Sequence, residues 1–165
     1  MLRRYVDQGA YTDCYAAEVD GTVSLPEFVE AFYTTPLFKV ERAILRWCVA
    51  RPSSDVEARR LAGGTLDSFA AWRVEGRAGD QLLLGDFTGR TKSWLMVAPA
   101  MDAGAGVRTR LHFGSAVVPL ARAGDGERRM GLAFHALQGF HQLYSRLLLG
   151  AACSRVARVE RADAG

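Results

Sequence analysis

The pattern of residues 10–19 (AYTDCYAAEV) predicts a β-strand, in which side chains two positions apart share a face. Aromatic residues favour strands, and Tyr11 and Tyr15 lie on the face that also carries Asp13 and Ala17. An Asp-Gly pair follows directly and predicts a turn at the end of this strand.

A helical pattern follows the turn. Ser24 is a suitable N-cap, Pro26 fits the first turn, and Glu27 stands three residues after Ser24, as in a capping box. We therefore predict a helix over residues 25–34, which Pro36 ends because the residue before a proline avoids the helical conformation.

Two further helices are predicted before the pattern changes. Apolar residues recur at spacings of three and four over residues 37–50, on one side of a helix. A Pro-Ser-Ser-Asp sequence ends this helix and caps a short one near residues 55–62. Gly63 and Gly64 close that short helix.

The rest of the chain predicts a sheet and one long helix. Short turns between successive strand-like runs indicate an antiparallel meander. These runs are Ser68–Gly76, Gln81–Thr88, Thr91–Pro99 and Val107–Leu120. Helical spacing of apolar residues then returns from about Arg129 to Ala157. The apolar positions of this last helix are Ala133, Leu137, Phe140, Tyr144, Leu147, Leu148 and Ala151.

This order predicts an α+β fold, because the strands follow one another and the helices are segregated from them. The 165 residues suit a single domain, 1–165, with a core over about 10–153 and a tail over 154–165.

The short turns also predict the register of the sheet. Turns centred on Ala78-Gly79 and Gly89-Arg90 pair Trp72 with Gly85 and Gly85 with Trp94. One face then collects Ala70, Trp72, Val74, Leu83, Gly85, Phe87, Trp94 and Met96. We predict that this face is buried because it carries two indole rings beside a glycine. A slip of one residue in either turn would exchange the faces.

Composition excludes several classes of protein. The chain is 49% hydrophobic and 24% charged, as in globular proteins, and its net charge of +3 comes from scattered residues rather than a basic stripe that would bind nucleic acid. Cysteines at positions 14, 48 and 153 form no metal-binding or disulfide pattern. No apolar run predicts a membrane span or a signal peptide, so we expect a cytoplasmic protein.

Two patterns resemble metal sites but lack their essential ligands. Aligning Gly21 with the central glycine of a calcium loop puts Ala16 at the first ligand position, where its side chain cannot coordinate a cation. His135 and His141 are six residues apart and do not share a helix face, and His112 lies on a strand. We predict no metal and no cofactor.

The strand pattern places Arg110 and His112 on the same face. A cationic pair of this kind could hold an anionic or carbonyl ligand or assist proton transfer, although an exposed strand face is the commoner setting for arginine. No nucleophile-elbow or phosphate-loop motif occurs, so the catalytic residues stay unknown.

The element order resembles the helix-grip fold of the START, polyketide-cyclase and plant-allergen (SRPBCC) superfamily. Local phrases also resemble an uncharacterised bacterial branch of it: Tyr11-Thr12-Asp13-Cys14-Tyr15, Trp72-Arg73-Val74, Leu84-Gly85-Asp86-Phe87 and the tail from His141 to Leu148. The resemblance implies an antiparallel sheet curved around the C-terminal helix, with short helices inserted after the first strand and an apolar cavity between sheet and helix.

The leading hypothesis is the binding of an apolar or aromatic small molecule in that cavity. The candidate ligand-binding residues are Trp72, Leu83, Gly85, Trp94, Met96, Arg110, His112, Leu137, Phe140, His141 and Tyr144. A cyclase- or aromatase-like enzyme on the same scaffold and a non-catalytic interaction protein with a filled core are the alternatives. We expect no nucleic-acid partner and no membrane span, and homodimer formation stays open.

Overall fold

The computed structural model describes residues 1–49, 52–100, 106–118 and 131–163; the side chains of 44–46, 48–49, 131–141 and 160–163 lie outside this description. The helices are α1 (Arg3–Asp7), α2 (Leu25–Tyr33), α3 (Pro36–Val49), α4 (Asp55–Ala62) and α5 (Gly131–Asp163). The strands are β1 (Tyr11–Asp20), β2 (Ser68–Phe69), β3 (Trp72–Arg77), β4 (Gln81–Asp86), β5 (Thr91–Pro99) and β6 (Arg108–Val117).

The helices inserted after β1 begin where the sequence predicts them. Ser24 and Glu27 form the predicted capping box at α2, and Ser54 and Glu57 form another at α4. In each, the serine hydroxyl accepts from the glutamate N–H and the carboxylate accepts from the serine N–H, which satisfies donors that a helix start leaves unpaired.

The six strands form one curved antiparallel sheet in the order β1-β6-β5-β4-β3-β2, and α5 packs on its inner face against β1 and β6. Helix α2 packs between α4 and α5 and also touches β5. The predicted α+β class, with a curved sheet around a C-terminal helix and short helices after β1, is confirmed. This arrangement is that of the helix-grip fold.

The predicted register was wrong at both hairpins. Trp72 pairs with Asp86 rather than Gly85, and Gly85 pairs with Lys92 rather than Trp94. The second difference is a shift of two residues, so Gly85, Leu83 and Trp94 do share a face, as predicted. The first is a shift of one residue, which moves Trp72 to the opposite face.

The run predicted as one strand is irregular at two points, and the second of them turns Trp72 to the opposite face. Ala70 has a positive φ of 52°, which divides the run predicted as one strand into β2 and β3. The pairing of β3 with β4 then changes between Val74 and Gly76, where a bulge inserts Glu75 as an extra residue. Neither the bulge nor the strained alanine has a signature in the local sequence.

The predicted inward face was also wrong for β4 and β5. The inner face, towards α5, carries Leu82, Leu84, Leu95, Leu111 and Phe113, which belong to the main core. The outer face is covered as well: α1, a helix that the sequence pattern does not predict, lies over it.

Beneath α1, a second apolar cluster joins Leu2 and Tyr5 to Leu83, Trp94 and Ala116. No helix in the described ranges has the length and apolar character needed to cross a membrane.

Candidate ligand cavity

A cavity of about 560 Å³ lies between the inner face of the sheet, α2, α3 and α5. Ring and aliphatic side chains make up most of its wall: Phe32, Leu37, Phe38, Val40, Trp72, Phe113, Leu143, Leu147 and Leu148. Its volume lies in the range of about 300–1,000 Å³ that is usual for small-molecule sites, as does an apolar wall with few polar groups.

Glu41 and Tyr144 are the principal polar pair of the wall. Tyr144 on α5 donates its hydroxyl to Oε2 of Glu41 on α3, at 2.5 Å. Burial raises the pKa of the Glu41 carboxyl, and the hydrogen bond from Tyr144 opposes this only in part. Burial and the adjacent Glu41 raise the pKa of Tyr144 as well, so its hydroxyl keeps its proton and remains the donor.

A second polar pair lies at the inner side of the wall. Tyr33 is completely buried at the end of α2, and its hydroxyl lies 3.2 Å from the hydroxyl of Ser93 on β5. Burial raises the pKa of Tyr33, the hydrogen bond with Ser93 lowers it in part, and the charge of Glu41 raises it further. Tyr33 therefore holds Ser93 in place without adding charge to the cavity.

Two residues of the wall carry buried polar atoms that have no hydrogen-bond partner among the described residues. These atoms are Nε1 of Trp72 and Oγ of Ser145, and both residues border the cavity. An unsatisfied buried donor or acceptor costs about 1–3 kcal/mol. Both atoms are enclosed by their neighbours, so this cost is part of the packing of the wall.

Two of the predicted ligand-binding residues, Trp72 and Tyr144, border the cavity. Trp72 reaches it because the register shift turns its side chain to the inner face. The side chains of Leu137, Phe140 and His141 lie outside the described part of the structure, although all three residues belong to α5.

The remaining predicted residues do not border the cavity. Leu83, Gly85, Trp94, Met96 and His112 lie on the outer face of the sheet, away from α5. The His112 and Trp94 rings are 6.2 Å apart there.

Arg110 and His112 do share a strand face, as predicted, but it is the outer one. Arg110 binds Glu18 on the neighbouring strand, at 2.6 Å from Nη2 to Oε1. Burial and the charge of Arg110 lower the pKa of His112. The pair therefore does not provide the cavity with cationic groups.

Glu41 and Ser145 border the cavity but were not predicted from the sequence. Glu41 stands four residues after Leu37 and three before Ile44, so a carboxylate interrupts the apolar stripe of α3. Ser145 likewise stands three residues before Leu148 on α5. A polar residue on an otherwise apolar helix face was the available signal for both.

In the described ranges, no group of three or more histidine, cysteine, aspartate or glutamate side chains is placed to hold a metal ion. No protein-family model matches this sequence, and no curated protein is significantly similar to it.

Proposed function

We propose that this protein binds an apolar or aromatic small molecule in the cavity between the sheet and α5. The observation that carries this proposal is the cavity of about 560 Å³, whose wall is mainly apolar. A cavity of this size argues against a filled core.

The position of the cavity supports the same proposal. Its wall takes residues from α2, α3, β3, β5, β6 and α5, so the packing of the whole domain shapes it. Leu143 and Leu147 are both more than half exposed and border the cavity, so apolar surface continues from its wall to solvent. Such a surface gives an apolar ligand a path of entry.

Titration with N-phenyl-1-naphthylamine, an uncharged dye that brightens in apolar surroundings, tests the proposal. We expect micromolar affinity, which corresponds to a binding free energy of about 8 kcal/mol. The dye can be excited without exciting tryptophan, so its own emission reports occupancy.

A matched pair of variants locates the dye. Leu147→Trp should reduce binding because the indole obstructs the edge of the cavity, whereas Val56→Trp places the same ring on α4, where an equally exposed residue lies away from the cavity. Absence of dye binding by the folded wild-type protein would refute the proposed function. Equal binding by both variants would place the dye elsewhere.

We also propose that the chain belongs to the START and polyketide-cyclase superfamily. The support for this is the strand order, the three helices inserted after β1 and the long α5, together with the local phrases quoted above. Because that superfamily includes carriers and enzymes, membership by itself would not decide the function.

A cyclase- or aromatase-like reaction is the second candidate, favoured by the contact of Glu41 with Tyr144. Two groups that exchange a hydrogen bond in an apolar wall are suited to moving a proton at a ligand carbonyl. Incubation with a short poly-β-ketone thioester, followed by mass spectrometry, tests this function. Dehydration of the thioester by the wild-type protein but not by Glu41→Gln would support it. An unchanged substrate would favour binding without catalysis.

A further inference from the structure

The charge of the cavity wall limits the ligands that the cavity can accept. Among the described residues, Glu41 forms no ion pair, and its hydrogen-bond partner is the neutral hydroxyl of Tyr144. Lys92 also borders the cavity, but its ammonium lies 2.6 Å from Glu75 and over the ring of Tyr5, on the outer face. The described wall therefore offers an acidic group and no cation.

We propose that the cavity selects uncharged ligands that carry a hydroxyl group, with phenols as the representative class, and that Glu41 discriminates against carboxylates. This inference rests on the proposed function and specifies its ligand. A carboxylate entering the cavity would lose its hydration and meet a second carboxyl group without a described cation to compensate.

A hydroxyl group, in contrast, matches the hydrogen-bonding capacity of the wall. The Glu41 carboxyl accepts one hydrogen bond from Tyr144 and retains further acceptor positions for a ligand O–H. A pure hydrocarbon offers no such donor, so it gains nothing from the Glu41 carboxyl group.

The two ligand classes should respond differently to pH. Among the described residues, the titratable groups that interact with Glu41 are Tyr33 from α2 and Tyr144 from α5, and burial keeps both protonated at neutral pH. A carboxylate ligand can then bind well only when it or Glu41 takes up a proton, so its affinity should fall as pH rises. A phenol needs no such uptake.

Calorimetric titration with 2-naphthol, 2-methoxynaphthalene and 2-naphthoate tests the inference, because the three compounds share one ring system. In the wild-type protein at neutral pH, we expect 2-naphthol to bind at least about tenfold more tightly than 2-naphthoate, a difference of about 1.4 kcal/mol. The methoxy compound, which lacks the donor, should fall between them. The affinity for 2-naphthoate should decrease with rising pH, with net proton uptake measured in buffers of different ionisation enthalpy.

Glu41→Gln provides the matched variant, since it keeps an acceptor oxygen and removes the charge. We expect it to bind 2-naphthoate about tenfold more tightly than the wild type does, an amount equal to about 1.4 kcal/mol. Glu30→Gln, which removes an exposed carboxylate of α2 that binds Arg59, should leave all three affinities unchanged.

The outcomes separate this inference from the proposed function. If 2-naphthoate binds the wild type as tightly as 2-naphthol, or without pH dependence, the selectivity is refuted while small-molecule binding stands. If neither these compounds nor the uncharged dye bind, the proposed function itself fails. The wild-type pH series requires no variant and therefore remains decisive if Glu41→Gln does not fold.

Discussion

Glu75 lies directly over the backbone of Gly85 on the outer face of the sheet, where a Cβ atom on Gly85 would overlap its carboxylate. From this position Glu75 accepts a hydrogen bond from Lys92 at 2.6 Å and another from Tyr5 of α1. The absence of a side chain at position 85 thus makes room for the ionic contact that fixes α1 to the sheet.

Replacement of Gly85 by alanine should destabilise the protein. The new methyl group would displace the Glu75 carboxylate and also meet Lys92 Nζ at 3.0 Å. We expect a loss of about 1–3 kcal/mol in the free energy of unfolding, as for other overpacked sites, measured by urea denaturation.

Gly79→Ala is the control for that substitution, because a Cβ atom there meets no atom of the described residues within 4 Å. It should be neutral or slightly stabilising, since alanine restricts the unfolded chain. Equal stability of the two variants would contradict the steric role assigned to Gly85.

Helix starts and strand runs could be predicted because their signals are local. The residues that cap α2 are neighbours in sequence, and the side chain of Ser24 determines where the helix begins. The period of polar and apolar residues similarly distinguished α5 from the strands before it.

The inward face of the sheet could not be predicted, because alternation disappears where both faces are covered. Leu82, Leu83 and Leu84 are successive residues of β4, and each is completely buried. Two of them face the main core, while Leu83 packs beneath α1. A helix of five residues with no side-chain cap gave no pattern from which this second cover could be inferred.

The polar pair of the cavity was beyond local inference for a related reason. Glu41 and Tyr144 are 103 positions apart, and their contact depends on how α3 and α5 pack. Tyr144 was identified from its place on the last helix, but nothing in the sequence near residue 41 indicates what lies opposite its carboxyl group.

Glu75→Gln should destabilise the folded protein most at neutral pH. Although burial opposes it, hydrogen bonds from Lys92 and Tyr5 lower the pKa of Glu75 below its usual 4.5. A lowered pKa stabilises the folded state above the unfolded value, and this contribution is lost as pH falls through the folded one.

We therefore expect Glu75→Gln to lower the free energy of unfolding by about 1–2 kcal/mol near pH 7. The loss is smaller than for a fully buried ion pair, because Glu75 is partly exposed. The difference in unfolding free energy between variant and wild type should narrow steadily as pH falls below about 4.5, because the wild-type carboxylate then takes up a proton and both proteins lack the charge. Urea denaturation at a series of pH values measures it. A gap that is constant with pH would exclude the ionic contact as its source.

The stability of Glu41→Gln relative to the wild type should depend on pH in the opposite direction. Burial raises the pKa of Glu41 above its usual 4.5, so the folded state favours the protonated carboxyl group. This contribution is complete below the unfolded pKa and is lost as pH rises through the folded one. The stability of Glu41→Gln relative to the wild type should therefore increase from about pH 4.5 upwards, as measured by urea denaturation.

The control for this prediction is Glu30→Gln, which also removes one negative charge but from an exposed position. A common dependence on net charge would affect both variants alike. If the stability of Glu41→Gln relative to the wild type fell as pH rose, the carboxyl group of Glu41 would instead be stabilised in its ionised form.

Two tryptophans should report differently on ligand binding, because they lie on opposite faces of the sheet. Trp72 borders the cavity, whereas Trp94 packs beneath α1 and donates its indole N–H to Gln81 at 3.1 Å. A bound 2-naphthol should alter the emission of Trp72 through ring contact, and Trp47, which is 83% exposed, should add a constant background.

We therefore expect Trp94→Phe to retain most of the emission change on ligand binding and Trp72→Phe to lose most of it. Calorimetry on both variants shows whether the ligand is still bound when the optical signal is gone. If Trp94→Phe were the variant that lost the signal, the ligand would lie on the outer face, and the cavity beneath α5 would not be the binding site.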